Sequence, residues 1–248
     1  VLVREHGMFR KLAGGLKKGI SELFKPDPVM VRNGTKHFDA TKSLINVVDN
    51  TPFGNPIEEK RSVLYLDWIK RQAELFQVEK SPLRIPDRIF PTKITRFAYN
   101  KNTQAMQTKI DKYYKVSSDG TEYLRNSQPI DINDSNDLLH CLVFLRGNVV
   151  WIDFGFNIGC EFGGRHPAII LKNLGEALIV APLTSGTLST PKPAEVVIDT
   201  VFNLPRRDRY TNITRIAPIS IYRVNLNSPM GSVRSARMRE IFNAIKNE

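Results

Sequence analysis

The chain has 248 residues, 41% hydrophobic and 25% charged, enough for one large domain or two small ones with a sizeable core. Its longest unbroken apolar runs, such as CLVFL at 141–145, fall far short of the roughly 20 residues that cross a bilayer. With no secretory pattern either, the sequence predicts a cytoplasmic protein with no membrane partner. A formal net charge of +11 attracts polyanions, nucleic acid first, although a solubilising surface excess accounts for it equally well.

The two cysteines, Cys141 and Cys160, lie apart without CxxC spacing, and His6, His37, His140 and His166 form no pair at metal-ligand spacing. Neither a disulfide framework nor a metal site is expected, so any chemistry is predicted to need no metal or other cofactor.

In chain order, MFRKLAGGLKKGISELFK at 8–25 has the spacing of a basic amphipathic helix, ended by Pro26 and Pro28. Its three glycines weaken it, so it is expected to pack on the rest of the protein rather than on a membrane or nucleic acid. Residues 26–54 read as irregular. A helix then starts well at NPIEEK, with Asn55 as cap, Pro56 in the first turn and Glu58 completing a capping box. Leu64, Trp68, Leu75 and Phe76 fall on one face, as in a packing element.

Four prolines in SPLRIPDRIFPTKI at 81–94 predict an extended connector. A weaker helix over 102–115 ends in Tyr113 and Tyr114, which read as core or surface aromatics or as stacking platforms for bases. SSDG and QPIDINDSND read as loops on either side of a short strand.

From residue 146 the pattern changes to short strands divided by glycine and proline: NVVWIDFG, PAIILKN, ALIVAPLTS, AEVVIDT and NITRIAPIS. A closing helix follows, with Ser232 as its expected cap and Val233, Met238, Ile241, Phe242 and Ile245 on its buried face. The expected class is α+β: a small β barrel with a C-terminal helix over 146–248, preceded by a mainly helical region over 1–145.

The order VWIDFGFNIGCEFGGRHPAIILKN, LIVAPLTSGT, RIAPISIYRVN and final helix, over about 146–247, resembles the MazF/PemK family of toxin endoribonucleases from toxin–antitoxin systems. The resemblance implies an SH3-like, plasmid-toxin-type barrel that forms a homodimer, binds single-stranded RNA in a groove across the dimer, and is held inactive by an antitoxin. It also implies metal-independent, sequence-specific cleavage, in which a 2′-hydroxyl attacks the adjacent phosphate to leave a 2′,3′-cyclic phosphate and a 5′-hydroxyl. The family's arginine before the proline of the first loop is displaced here, because the chain reads Arg165-His166-Pro167; its threonine after the third strand corresponds to Thr184, with Ser185 beside it.

Such cleavage needs a base, an acid and a donor to the phosphate. Histidine titrates near neutrality and arginine carries a permanent planar cation. The expected roles are therefore proton transfer by His166, phosphate stabilisation by Arg165, and hydroxyl donation by Thr184 and Ser185. Gly163 and Gly164 are expected to let the backbone approach a ligand, against the plainer reading of a hairpin loop with incidental charges. Arg206, Arg207, Arg209 and Tyr210 in LPRRDRYTN supply cations and a ring for RNA, or form a solvated charged turn. Glu161 is expected to hold the loop, and Arg234, Arg237 and Arg239 to be solvated. A catalytically silent module of the same fold, binding nucleic acid or protein, is the competing reading.

Overall fold

In a computed structural model, residues 42, 43, 46, 56–79, 83–89, 103–157 and 162–248 are described. The basic helix expected over 8–25, the irregular stretch at 26–54 apart from residues 42, 43 and 46, the Asn55 cap, Cys160 and Glu161 lie outside them. The chain divides into two compact units, Val1–Val63 and Leu64–Glu248, and the architecture below is that of the second.

Its elements run α1 (Pro56–Val78), β1 (Arg88–Ile89), α2 (Thr103–Tyr113), β2 (Tyr114–Val116), β3 (Tyr123–Arg125) and α3 (Ile132–Leu138), the last continuing into a π-helical turn at Leu139–Val143. Then follow β4 (Asn148–Asp153), β5 (Arg165–Asn173), β6 (Ala177–Ser185), β7 (Glu195–Val197), β8 (Arg209–Asn212), β9 (Ala217–Ser220), β10 (Val224–Asn225), β11 (Gly231–Ser232) and α4 (Ser235–Asn247). α1 begins in the first unit and ends in the second.

The main sheet is antiparallel, in the order β10-β4-β5-β6-β8-β7, with β11 also on β4 and β9 also on β6. It curls into a half-barrel. Pro167–Leu171 is an unbroken buried run because both faces of the sheet are covered, the condition under which a strand loses its polar alternation. Val150, Ile152, Ala168, Ile170, Leu178 and Val180 point to one face, where they join Ile110, Leu138, Leu139, Val143 and Phe144. Val149, Ile169, Leu171, Ala181 and Leu183 point to the other, where Met238 and Ile241 of α4 cover them.

A small sheet, β1-β3-β2, completes the first layer. Its aromatic pair settles one open reading: Tyr113 and Tyr114 are 1% and 3% exposed, so they are core residues and no platform for bases. The Tyr113 hydroxyl donates to Asp134 at 2.7 Å, and the Tyr114 hydroxyl donates to the Pro86 carbonyl at 2.8 Å.

Several local expectations change. The stretch IDINDSND, read as loop, contains α3: Asp131 caps it by accepting from the Asn133 amide at 2.9 Å, and burial of Ser135 and Leu138 outweighs the poor helix propensity of Asn, Asp and Ser. The π turn leaves carbonyls without helical partners, and the Asn148 side-chain amide donates to those of Leu142 and Val143 at 3.0 and 2.8 Å. Ser232 does not cap the last helix, because it is buried in β11; Arg234 occupies the cap position. Ile245 is 38% exposed, at the edge of that helix's apolar face. NITRIAPIS is not one strand, since a 3-10 turn at Ile213–Arg215 separates β8 from β9. On α1, Leu64 and Phe76 are exposed while Trp68 is half-buried, so the packing face is narrower than the sequence predicts.

Candidate nucleic-acid interface

The sites read from sequence gather at one end of the half-barrel, where β4 turns into β5 and β6 leaves the sheet. β4 and β5 pair Ile152 with His166 and Asp153 with Arg165, and β5 and β6 pair Ala168 with Pro182. Continuing the second register by two residues sets His166 opposite Thr184. Side chains alternate along a strand, so His166 and Thr184 share one face whereas Arg165 and Ser185 point to the other.

The two faces differ chemically. Arg165 stacks over Trp151, its guanidinium carbon 5.7 Å from the ring centroid, and donates to the Ser228 hydroxyl. Sequence reasoning joined Arg165 and His166 at one phosphate; adjacent positions on β5 separate them.

His166 is half-buried and packs against Phe162, with ring centroids 4.5 Å apart. Burial holds its pKa below the ordinary histidine value, and the nearby Arg215 cation acts in the same direction. The carbonyls of Gly163 and Leu183 pull the other way and lose to burial. Arg215 itself lies over Phe162, 5.4 Å from the ring centroid. It is a cation on the His166 side that sequence reasoning missed, because NITRIAPIS reads only as a strand and RIAPISIYRVN only as part of the family's motif order.

The glycines act within the loop. A Cβ on Gly163 would lie 2.7 Å from the Asn157 amide nitrogen and 2.8 Å from the Gly155 carbonyl oxygen, a fit to the loop's own backbone where the sequence predicted a fit to ligand. Gly164 has φ 80°, a left-handed conformation that favours glycine. The loop stem is closed by the Phe154 amide donating to the Gly164 carbonyl at 2.9 Å and the Gly164 amide donating to the Gly155 carbonyl at 2.5 Å.

LPRRDRYTN divides as well. Arg206 and Arg207 are exposed. Arg209, in β8, is only 6% exposed, and its guanidinium donates to the Pro205 carbonyl at 2.9 Å and the Arg207 carbonyl at 3.5 Å. It holds the loop from inside and is not a surface cation, because it shares a face of β8 with the buried Thr211, which pairs with the buried Leu183. Tyr210 is half-buried beside Gly186.

We expect Arg209→Ala to destabilise the fold by about 1–3 kcal/mol, since it strips donors from two carbonyls, with Arg206→Ala near neutral. Denaturant unfolding of the two variants checks this. On α4, Arg237 pairs with Asp199 at 3.0 Å and Glu240 at 2.6 Å, and Arg234 lies over Phe202. Cys141 is buried and its thiol is pushed up to about 12 by burial, as a packing residue should be.

The lowered His166 pKa also has a stability consequence. The unfolded chain binds the proton more readily than the folded one, so stability falls as pH drops from about 6.5 through the folded-state value. Thermal unfolding between pH 7 and 5 is expected to show this loss, and His166→Gln to remove that component.

Among the described residues no helix is long and apolar enough to cross a membrane, and no three His, Cys, Asp or Glu side chains gather as a metal group.

A curled antiparallel sheet, layered on both faces and closed by a C-terminal helix, defines a small α+β half-barrel domain with cations at one end. Residues 145–247 match the family described as the PemK-like, MazF-like toxin of type II toxin–antitoxin systems. No curated protein matches the chain. Among solved structures, it is similar to a mycobacterial endoribonuclease in complex with its cognate antitoxin, at 22% identity and TM-score 0.33, covering 42% of this chain and 91% of that one. MazF from Deinococcus radiodurans gives 19% and TM-score 0.34, covering 41% and 92%. The Mycobacterium tuberculosis toxin MazF-mt6 gives 16% and TM-score 0.31, covering 40% and 92%.

Proposed function

We propose that the protein is the toxin of a type II toxin–antitoxin system, an endoribonuclease that cuts single-stranded RNA at short sequence motifs without a metal ion. The family match over residues 145–247 carries this reading. In it, the 2′-hydroxyl of one nucleotide attacks the adjacent phosphorus while the 5′-oxygen bond breaks, leaving a 2′,3′-cyclic phosphate and a 5′-hydroxyl.

His166 is the proton-transfer group. Its depressed pKa keeps the ring neutral at pH 7, the form that accepts the 2′-hydroxyl proton. Thr184, on the same face, donates its hydroxyl to the phosphate. Arg215 supplies the cation beside the reacting phosphate, since it lies over Phe162, the ring packed on His166. Arg165 and Ser185, on the other face, contact the RNA strand as it leaves, together with Arg206 and Arg207, while the ring of Tyr210, paired with Thr184 and so on its face, takes a base; cations along a strand and a ring for a base are what single-stranded RNA binding uses. Gly163 and Gly164 contribute by fixing the loop. The working form is a homodimer restrained by an antitoxin, acting in the cytoplasm.

The test is incubation of the purified full chain with a long unstructured RNA. Discrete fragments, lost in Thr184→Ala, are expected; RNA that is bound yet stays intact favours a silent binding module of the same fold. Binding itself is expected to weaken with salt, and Arg206→Ala and Arg207→Ala to lower the slope of log K against log salt by about 0.7 each, the single-strand value per phosphate contact.

A further inference from the structure

We propose that Trp68, on α1 and outside the toxin-type domain, is a positioning residue for His166, acting through the loop between β4 and β5. The inference rests on the reading of His166 as the proton-transfer group and adds to it a residue that the domain's own sequence does not contain.

The contacts form one connected series. Gly155, at φ 99°, has no room for a side chain: a Cβ there would lie 2.7 Å from Cζ2 of Trp68. The indole therefore sits directly on the loop stem. Its ring carries the Arg223 guanidinium, with the central carbon 5.0 Å from the ring centroid, within the range of a cation–π contact. Arg223 also donates from Nη1 to the Phe154 carbonyl at 3.4 Å. The Phe154 ring meets Phe162 edge to face at 5.1 Å, and Phe162 packs on His166 at 4.5 Å.

Two further contacts from the same helix hold the stem from either side of Gly155. Tyr65 meets Phe156 edge to face at 5.3 Å, and Arg71 faces Asp153 at 3.8 Å. Asp153 is the strand partner of Arg165. α1 thus grips residues 153–156, while the backbone bonds of Phe154 and Gly164 transmit their position across the stem to the start of β5.

Without the indole, the Gly155 backbone gains freedom in a region only glycine enters easily, and Arg223 loses the surface that aims it at Phe154. The aromatic pair then loosens, and the His166 ring becomes more exposed to water. Arg215 is the charged group that acts on His166, and it lies over the same Phe162 ring, so a looser Phe162 weakens its lowering effect in the same direction as the added water. A loss of ring orientation lowers turnover more than substrate affinity, because geometry in the reacting complex is what suffers.

The experiment is an NMR titration of ¹³C-labelled histidine in the full chain, alongside kcat and KM for RNA cleavage, in wild type, Trp68→Ala, Trp68→Phe and Arg223→Met. Trp68→Ala is expected to move the His166 titration up toward the ordinary value of about 6.5 and to lower kcat by about tenfold with little change in KM. Trp68→Phe is expected to restore most of both, and Arg223→Met to shift both in the same direction by less. A His166 titration unmoved in Trp68→Ala overturns the proposal; if that variant does not fold, an unmoved titration in Arg223→Met overturns it instead. Wild-type protein that leaves RNA intact overturns the proposed function alone, because the titration reads the position of His166 without RNA.

Discussion

Replacement of His166 by alanine is expected to lower RNA cleavage at pH 7 by about 10²–10⁴-fold, the range for a positioned proton-transfer group, while RNA binding changes little. The asymmetry follows from where the ring sits. It is half-buried on the face it shares with Thr184, against Phe162, so it contributes little of the exposed cationic surface proposed to hold the RNA backbone. Its depressed pKa adds a pH signature: with the neutral ring as base, the rate rises with pH through a limb centred below about 6.5 and levels off above it. Single-turnover cleavage of a fixed RNA between pH 4.5 and 8, in wild type and His166→Ala, measures both. A variant that keeps the wild-type rate and limb removes His166 from the chemistry.

Phe144→Ala is expected to cost about 3–5 kcal/mol, the range for emptying a buried aromatic position. Phe144 is 1% exposed and belongs to the cluster in which Ile110, Leu138 and Leu139 meet Val150, Ile152 and Ala168 of the sheet. One face of the sheet is therefore covered by residues that precede the family-matched segment 145–247 in sequence. The substitution should lower the denaturant midpoint of the sheet and of the preceding helices together, in a single transition. Loss of helical signal ahead of the sheet, as two separated transitions, would contradict a shared core.

The sheet was legible from residue 146 onward because its strands are short, rich in Val and Ile, and punctuated by glycine and proline. The double burial of PAIIL was also written in its unbroken apolar run. α3 was not legible, since Asn, Asp and Ser are turn formers until a buried Leu138 and a capping Asp131 commit them to a helix. For the candidate site, the sequence identified the loop that carries Arg165 and His166 and the strand end that carries Thr184.

Which residues share a face depended on register. The divergence of Arg165 and His166 follows from alternation once β5 is known to begin at Arg165, a boundary that periodicity alone does not place to one residue. Arg209 looked like its neighbours Arg206 and Arg207 until alternation along β8 set it on the buried face with Thr211. Arg215 and Trp68 were beyond local reading, because each reaches the His166 loop only through tertiary packing around Phe162 and Gly155.

The central claim is tested most directly by the chemistry of the ends. The full chain is incubated in EDTA with a long unstructured RNA, and the fragments are probed for 5′ ends that a polynucleotide kinase labels without prior dephosphorylation and for 3′ ends blocked as cyclic phosphate. Efficient labelling of discrete fragments, with cyclic 3′ ends, is the predicted result. Fragments with 5′-phosphates, or RNA left intact by folded protein, would contradict it.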